Sequence, residues 1–227
     1  MEELETVSEH RRQLLGSLTH ELKTPMTSII GYSDTLLHVK ISEEQQKKAL
    51  EHINSECRRL ERLSGKMMTL IGLYDEDRIH KEPYPVEKLI QEVADLERYH
   101  MQDSGMELRI YSESWEYCMD VDLMESLLVN LLDNAIKASE EGSVIELHGE
   151  KGCIWVQDHG KGIPKEEIPK ITEAFYMVDK SRSRKAGGIG MGLALCQKIA
   201  EIHGARLLIE STVGVGTRIC VIFQEED

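Results

Sequence analysis

The chain contains 227 residues with a formal net charge of −14, and 41% of its residues are hydrophobic. This length allows one substantial core and a smaller second unit, and the acidic balance argues against nucleic acid and anionic membrane surfaces as partners. The five cysteines are widely spaced without a Cys-x-x-Cys pair, so neither a zinc cluster nor a disulfide framework is predicted, and a reducing, cytoplasmic location is expected.

Long helices are predicted at the start of the chain. Apolar residues recur at intervals of three, four or seven over residues 4–38, which indicates one helix. A second helix is predicted over residues 43–74, where Ile53, Leu60 and Met67 are spaced by sevens. The short connection makes the helices antiparallel, and one such hairpin leaves an apolar face uncovered. We therefore expect two copies to pair as a homodimer with a four-helix bundle.

The pattern changes after the second helix. Pro83 and Pro85 cannot continue a helix, and we place the domain boundary between residues 80 and 81. Domain 1–80 is then the helical hairpin. In domain 81–227, helices are predicted at 86–102, 122–139 and 191–203, and strands at 106–111, 144–149, 153–157, 206–211 and 217–223. The order lacks regular strand–helix–strand alternation, which indicates an α+β fold with helices packed on a mixed sheet.

No apolar run approaches the roughly 20 residues that a membrane-spanning helix needs. We therefore expect no membrane contact by this chain. A helical pattern is already under way at the first residues, and we expect the parent protein to have a further N-terminal part that can carry a membrane anchor.

His20, Glu21 and Thr24 lie together in the first helix. A histidine beside a carboxylate can accept a phosphoryl group, because Glu21 can take a proton from one imidazole nitrogen and leave the other as the nucleophile. Thr24 is one turn further on the same face. A lone helical histidine is usually solvated or part of a core, so the neighbours carry this hypothesis. Thr at position 24 also removes the second histidine that a zinc peptidase requires.

Asn130, Asn134 and Lys137 lie near one side of a predicted helix whose other side is apolar. Amide oxygens suit a Mg²⁺ ion already chelated by phosphates, because the triphosphate supplies the negative charge. Lys137 can contact a phosphate directly. A solvated helix face would account for the lysine, but two asparagines in so apolar a segment indicate a ligand site.

Two glycine-rich segments follow. Residues 158–164 end a strand and place the Asp158 carboxylate, a suitable acceptor for an adenine amino group, beside glycines that permit close approach of a ligand. Residues 187–193 precede a helix, whose backbone N–H groups can bind phosphates. Each signal is weak alone: the first is compatible with an Asp-rich turn, and the second lacks the Gly-Lys-Ser/Thr ending of a Walker loop.

Together, the motifs resemble those of the two-component sensor histidine kinases over nearly the whole chain. Residues 20–25 match the H box, 130–135 the N box, 158–163 the first glycine box, Phe175 the F box and 188–193 the second glycine box, while 215–217 resemble the third. Five ordered motifs make a chance match very improbable, although each alone is a modest one.

The resemblance implies a dimerisation and phosphotransfer hairpin followed by an ATP-binding α/β sandwich of the GHKL type. It implies that His20 is phosphorylated from ATP, that Glu21 is its acid/base partner, and that Asn134 coordinates Mg²⁺ with the support of Asn130. Asp158 would bind adenine, and Thr24 would position water for dephosphorylation of the partner, a response-regulator receiver domain. Further ATP contacts are expected at Lys137, Gly160, Gly162, Ile163, Phe175, Tyr176, Lys180, Gly188, Gly190, Met191, Gly192, Leu193 and Thr217.

One departure keeps an alternative open. Met177 follows Phe175 and Tyr176 where many family members carry Arg, so a cationic phosphate contact is missing unless Arg182 or Arg184 replaces it. The alternative function is a catalytically weak scaffold that binds nucleotide. A chaperone or topoisomerase ATPase module of the same superfamily is a third hypothesis, which the His20 hairpin disfavours.

Overall fold

The computed structural model describes residues 2–73, 79–178 and 189–224, except for the side chains of residues 2–15 and 17. The chain forms two compact units, Met1–Met68 and Thr69–Asp227. The expected domain boundary between residues 80 and 81 stays a prediction.

The first unit contains two helices, α1 (Glu2–His38) and most of α2 (Glu43–Gly72). α1 continues through Pro25 as one helix. α2 begins with a reciprocal cap. The Gln45 backbone N–H donates to Ser42 Oγ at 3.3 Å, and the Ser42 backbone N–H donates to Gln45 Oε1 at 3.0 Å. The ring of Tyr32 on α1 stacks on that of His52 on α2 at 4.9 Å, as in the antiparallel hairpin that the sequence predicts.

The second unit is built on a five-stranded mixed sheet. Its strands are β2 (Glu107–Ser112), β4 (Val144–Glu150), β5 (Cys153–Asp158), β6 (Ala205–Thr212) and β7 (Gly216–Phe223). Their order is β2-β4-β5-β7-β6, and β2 and β4 are parallel while the other neighbours are antiparallel. The strands predicted at 144–149 and 153–157 are β4 and β5, and they form an antiparallel hairpin.

Three helices pack on the sheet: α3 (Val86–Asp103), α4 (Val121–Ala138) and α5 (Gly192–Ile202). Alternate β4 residues such as Ile145 and Leu147 are fully buried beneath them, together with Leu127 and Leu131 of α4. The α+β class and the helix layer on a mixed sheet, which the sequence predicts, are confirmed.

A second, two-stranded sheet was not predicted. β1 (Glu82–Pro85) pairs antiparallel with β3 (Glu116–Met119), so that Pro83 lies opposite Cys118 and Pro85 opposite Glu116. Prolines are tolerated here because each strand of a two-stranded sheet has an unpaired edge. Among the helices in the described ranges, none combines the length and apolarity that a membrane crossing requires.

Candidate functional site

His20 lies on α1 with an exposed side chain. Its neighbour Glu21 is bound to α2, where an Arg59 guanidinium nitrogen donates to Glu21 Oε2 at 2.9 Å. Arg59 is one of the few buried charged residues, and it also contacts Glu56 at 3.7 Å. Thr24 is exposed one turn beyond His20. The hairpin therefore presents an accessible imidazole beside a carboxylate that Arg59 fixes in position.

Asn130 and Asn134 of α4 face the first turn of α5. Asn130 is buried, and its amide nitrogen donates to the Ser126 carbonyl at 2.6 Å. A Cβ atom placed on Gly192 would lie 3.4 Å from Asn130 Oδ1 and 3.6 Å from Asn134 Nδ2. In the part of the chain that the structure describes, the buried Asn134 Nδ2 has no hydrogen-bond partner. The N box and the second glycine box are thus adjacent.

Lys137 lies on the same side of α4 but at the surface. Its ammonium group pairs with the Asp133 carboxylate one turn earlier at 2.5 Å. A phosphate contact by Lys137 would have to compete with this ion pair.

Asp158 is the last residue of β5 and is 6% exposed. Its carboxylate accepts a hydrogen bond from the Gly160 N–H at 2.8 Å and another from the Thr217 N–H. Burial raises the pKa of the Asp158 carboxyl above its ordinary value, and these two N–H groups oppose the shift. Thr217 lies directly opposite Asp158 in the sheet, so their side chains share one face.

The loop after Asp158 is wedged between α4 and the turn that joins β6 to β7. A Cβ atom on Gly160 would lie 2.2 Å from the Ala138 carbonyl oxygen, and one on Gly162 would lie 2.1 Å from the Thr212 carbonyl oxygen. Gly162 also has a φ of 67°, which disfavours other residues. The Ile163 N–H donates to Ser211 Oγ at 2.8 Å. The first glycine box is therefore shaped by contacts with backbone on both sides.

Phe175 contacts the second glycine box through its backbone. The Phe175 N–H donates to the Gly190 carbonyl at 2.7 Å, and both residues have positive φ angles, 69° and 74°. Tyr176 donates a hydrogen bond from its hydroxyl to Glu167, which raises the pKa of the Tyr176 phenol. Met191 is buried and Leu193 half-buried at the start of α5. Lys180 and Gly188 lie outside the described residues.

Helix α4 links these clusters. Asn134 is one turn before Ala138, whose carbonyl accepts from the Lys161 N–H at 3.1 Å, and Gly192 lies against the same helix. The structure thus brings the N box and both glycine boxes to the C-terminal half of α4. This arrangement offers a buried acceptor, amide groups and glycine-lined backbone around one region, which suits a nucleotide.

Family comparisons match each unit. Residues 10–70 match the family described as His Kinase A (phospho-acceptor) domain, and residues 119–227 match the Histidine kinase-, DNA gyrase B-, and HSP90-like ATPase family. The chain belongs to the two-component sensor histidine kinases. The resemblance seen in the sequence motifs is therefore confirmed.

This histidine kinase chain is 27% identical to Sensor protein SrrB of Staphylococcus aureus over 218 residues, which cover 93% of the chain and 37% of that protein. The chain therefore spans well under half the length of the curated relatives it matches.

Solved structures share the fold of the kinase chain. Histidine kinase ThkA in complex with response regulator protein TrrA gives a TM-score of 0.73 at 22% identity, over 96% of this chain and 65% of that one. Acinetobacter baumannii histidine kinase AdeS gives a TM-score of 0.64 at 19% identity, over 91% of this chain and 98% of that one.

Two residues that contact candidate site residues, one in each unit, were missed from the sequence. Arg59 has no sequence signal that pairs it with Glu21, since 38 positions separate them. Ser211 is paired with Thr217 in the β6–β7 hairpin. The strands predicted at 206–211 and 217–223 are separated by five residues, and pairing them as a hairpin would have placed Ser211 opposite Thr217.

Proposed function

We propose that this chain phosphorylates its own His20 from Mg-ATP and transfers the phosphoryl group to an aspartate of a response-regulator receiver domain. One observation carries the proposal. The exposed His20 lies in the part of the chain that matches the phospho-acceptor family. The buried Asp158, with Asn130 and Asn134, lies in the part that matches the ATPase family.

The adenine base is proposed to bind at Asp158. A carboxylate accepts from an amino group and so favours adenine over a base that has a carbonyl at that position. Gly160 and Thr217 contact Asp158, Gly162 and Ile163 follow Gly160 in the same loop, and the backbone of these residues would border the base. Burial raises the pKa of the Asp158 carboxyl, and a hydrogen bond from an adenine amino group would favour its ionised form.

The phosphates are proposed to bind at the start of α5. Backbone N–H groups of a helix N-terminus attract anions, and Gly190, Met191, Gly192 and Leu193 supply them here. Phe175 and Tyr176 would border this segment, since the Phe175 N–H donates a hydrogen bond to the Gly190 carbonyl. Phosphate contacts by Lys137, Lys180 and Gly188 remain part of the proposal, with Lys137 first released from Asp133.

The residues near Asn134 fit a Mg²⁺ ion. The Nδ2 atom of Asn134 is buried and has no hydrogen-bond partner in the described ranges. A bound Mg-nucleotide would supply a partner for this polar group. Asn134 would hold Mg²⁺ through Oδ1 with Asn130 in support, and the ion would neutralise charge on the transferring phosphoryl group.

His20 is the proposed nucleophile. One imidazole nitrogen attacks the γ-phosphorus of ATP, a phosphorus–nitrogen bond forms, and the bond to the β-phosphate oxygen breaks to release ADP. Glu21 accepts the proton of the other imidazole nitrogen. Arg59 keeps the Glu21 carboxylate in place through the 2.9 Å ion pair, so it acts on the nucleophile through Glu21.

The test is incubation of the full chain with γ-labelled ATP and Mg²⁺. We expect acid-labile, alkali-stable label in the wild type and its loss in His20→Gln, with ATP affinity unchanged. His38→Gln is the matched control, because His38 is also exposed on α1. Label that persists in His20→Gln, or that disappears in His38→Gln, would reject His20 as the acceptor.

The proposed partner is a receiver domain, and the chain is also proposed to dephosphorylate it. Histidine kinase ThkA shares the fold of this chain and was solved in complex with the response regulator protein TrrA, which supports this partner class. Thr24 is exposed one turn from His20, where its hydroxyl would position water toward an acyl phosphate.

We expect Thr24→Ala to keep His20 labelling but to slow loss of phosphate from the regulator about 10-fold or more. The neighbouring Thr27→Ala is the control, because the Thr27 hydroxyl already donates to the Lys23 carbonyl at 2.8 Å. Equal loss in both variants would contradict the role of Thr24. A cytoplasmic location and a membrane anchor in the parent protein remain proposals as well.

A further inference from the structure

Ser211 connects two of the proposed nucleotide-binding segments. Its hydroxyl oxygen accepts from the Ile163 N–H at 2.8 Å, lies 3.0 Å from the Gly216 carbonyl oxygen, and lies 2.9 Å from Thr217 Oγ1. Asp158, Thr217 and Ser211 stand directly opposite one another across β5, β7 and β6. The three side chains therefore form one row on the face of the sheet that bears Asp158.

The single proton of the Ser211 hydroxyl restricts how these bonds are made. A serine hydroxyl has one donor proton and two acceptor lone pairs. The Ile163 N–H occupies one lone pair, and the Gly216 carbonyl can only accept. All three bonds form at once only when Ser211 donates to Gly216 and the Thr217 hydroxyl donates to Ser211. Thr217 then has only acceptor capacity to offer a bound molecule.

We infer that Ser211 is a positioning residue that fixes the Thr217 hydroxyl as an acceptor and thereby increases the preference for adenine over purines with a 6-carbonyl group. This rests on the proposed nucleotide site at Asp158. With the Asp158 carboxylate, Thr217 presents a row of acceptors, which suits the two N–H groups of the adenine amino group and repels a carbonyl oxygen.

Inosine triphosphate is the appropriate probe, because it replaces the 6-amino group of ATP with a carbonyl, which also places a proton on the adjacent N1, and it keeps the other ring atoms and the triphosphate. The dissociation constants of ATP and inosine triphosphate are measured with the full chain. Removing the Ser211 hydroxyl frees the Thr217 proton to donate to the carbonyl. We define the ratio as the dissociation constant of inosine triphosphate divided by that of ATP, so a high ratio means a preference for ATP. In Ser211→Ala we expect this ratio to fall about 3- to 10-fold, the range of one neutral hydrogen bond.

The ratio separates this inference from a merely structural role. Loss of the Ile163 bond alone would weaken both nucleotides by the same factor and leave the ratio unchanged. Ser211→Thr keeps the hydroxyl and should restore the wild-type ratio. Ser211→Cys keeps the shape with a weaker donor and replaces Ser211→Ala if that variant does not fold. In a Thr217→Val background, Ser211→Ala should no longer change the ratio.

Failure of the inference and failure of the proposed site are distinguishable. Suppose that the wild type prefers ATP and that Asp158→Asn removes this preference. If Ser211→Ala then leaves the preference unchanged, only the inference about Ser211 is overturned. If Asp158→Asn leaves the preference intact, the adenine site is elsewhere and both fall. A reduced ratio in Ser211→Ala that Ser211→Thr restores supports the inference.

Discussion

The buried imidazole of His203 forms hydrogen bonds that connect several elements of the second unit. Its Nε2 accepts from the Asp120 N–H at 2.9 Å, while Nδ1 lies 2.8 Å from the Ile199 carbonyl and must donate to it. The ring is therefore neutral, with its proton on Nδ1. The Tyr117 hydroxyl donates to the His203 carbonyl at 2.6 Å. The residue is 2% exposed at the end of α5.

Burial lowers the pKa of His203 below its ordinary value of 6.5. At pH values between the lowered pKa of the folded state and 6.5, the unfolded chain binds more protons than the folded chain. The free energy of unfolding must therefore decrease as the pH falls below about 6.5. We expect the free energy of unfolding of the second unit to drop by up to about 1.4 kcal/mol per pH unit in that window. Chemical denaturation followed by tryptophan fluorescence measures it, since Trp115 and Trp155 both lie in this unit.

His203→Gln should be less stable at pH 7.5 but should show a weaker dependence on pH between 7.5 and 5.5. His80→Gln is the matched control. His80 also contacts Asp120, but through its backbone N–H at 3.0 Å, and its side chain is exposed. A wild-type pH dependence in His203→Gln would mean that another group is responsible.

At the element scale, the loop of residues 159–163 depends on its glycines. Gly162→Ala would combine a left-handed backbone with a contact of 2.1 Å to the Thr212 carbonyl oxygen, so either this loop or the β6–β7 turn must move. We expect a loss of stability of about 2–4 kcal/mol together with weaker ATP binding. Denaturation by tryptophan fluorescence and a nucleotide titration measure the two effects.

Gly214→Ala separates backbone strain from this contact. Gly214 has a φ of 76°, similar to that of Gly162, but nothing lies within 4 Å of an added Cβ atom. It should therefore lose only about 1–2 kcal/mol and keep ATP binding. If both variants lost the same stability and the same affinity, contact with Thr212 would not shape the loop.

The sequence predicted most elements because their hydrophobic periods are clear. α4 and β4 alternate between apolar and polar faces with periods close to 3.6 and 2, and their ends match the prediction within a residue or two. β1 and β3 were missed because they have four residues each and β1 contains two prolines. The neighbour relation of β2 and β4 was also not predicted, since a parallel pair has no turn signal and joins residues far apart in the sequence.

Over the whole chain, the motifs indicate candidate site residues but not the contacts of those residues. Asn134 is a candidate because two asparagines are unusual in so apolar a helix, and Asp158 is a candidate because its carboxylate precedes glycines at the end of a strand. The ion pair of Arg59 with Glu21 and the hydrogen bond of Ser211 with the Ile163 N–H depend on which helices, strands and loops become neighbours. A sequence without tertiary contacts does not contain that information locally.

The helical hairpin leaves apolar side chains exposed in one chain. Met26, Ile30 and Leu37 of α1 are 51%, 56% and 75% exposed. Their spacing of four and seven residues places them within about 40° of one another on the helix. Isolated exposed apolar residues are ordinary, but an aligned stripe on a hairpin marks a surface that another helix can cover. This supports the proposed homodimer.

We expect the full chain to be a dimer and the double variant Ile30→Glu, Leu37→Glu to dissociate at least ~100-fold more readily, because each apolar side chain contributes roughly 1.5–3 kcal/mol when buried. Sedimentation equilibrium over a range of concentrations measures this. Gly31→Glu is the control, since it adds one of the two negative charges of the double variant to α1 well away from the stripe, with nothing within 4 Å of the new Cβ atom. Retained dimerisation in the double variant would place the interface on another surface, whereas dissociation in Gly31→Glu as well would indicate a nonspecific effect of charge on α1.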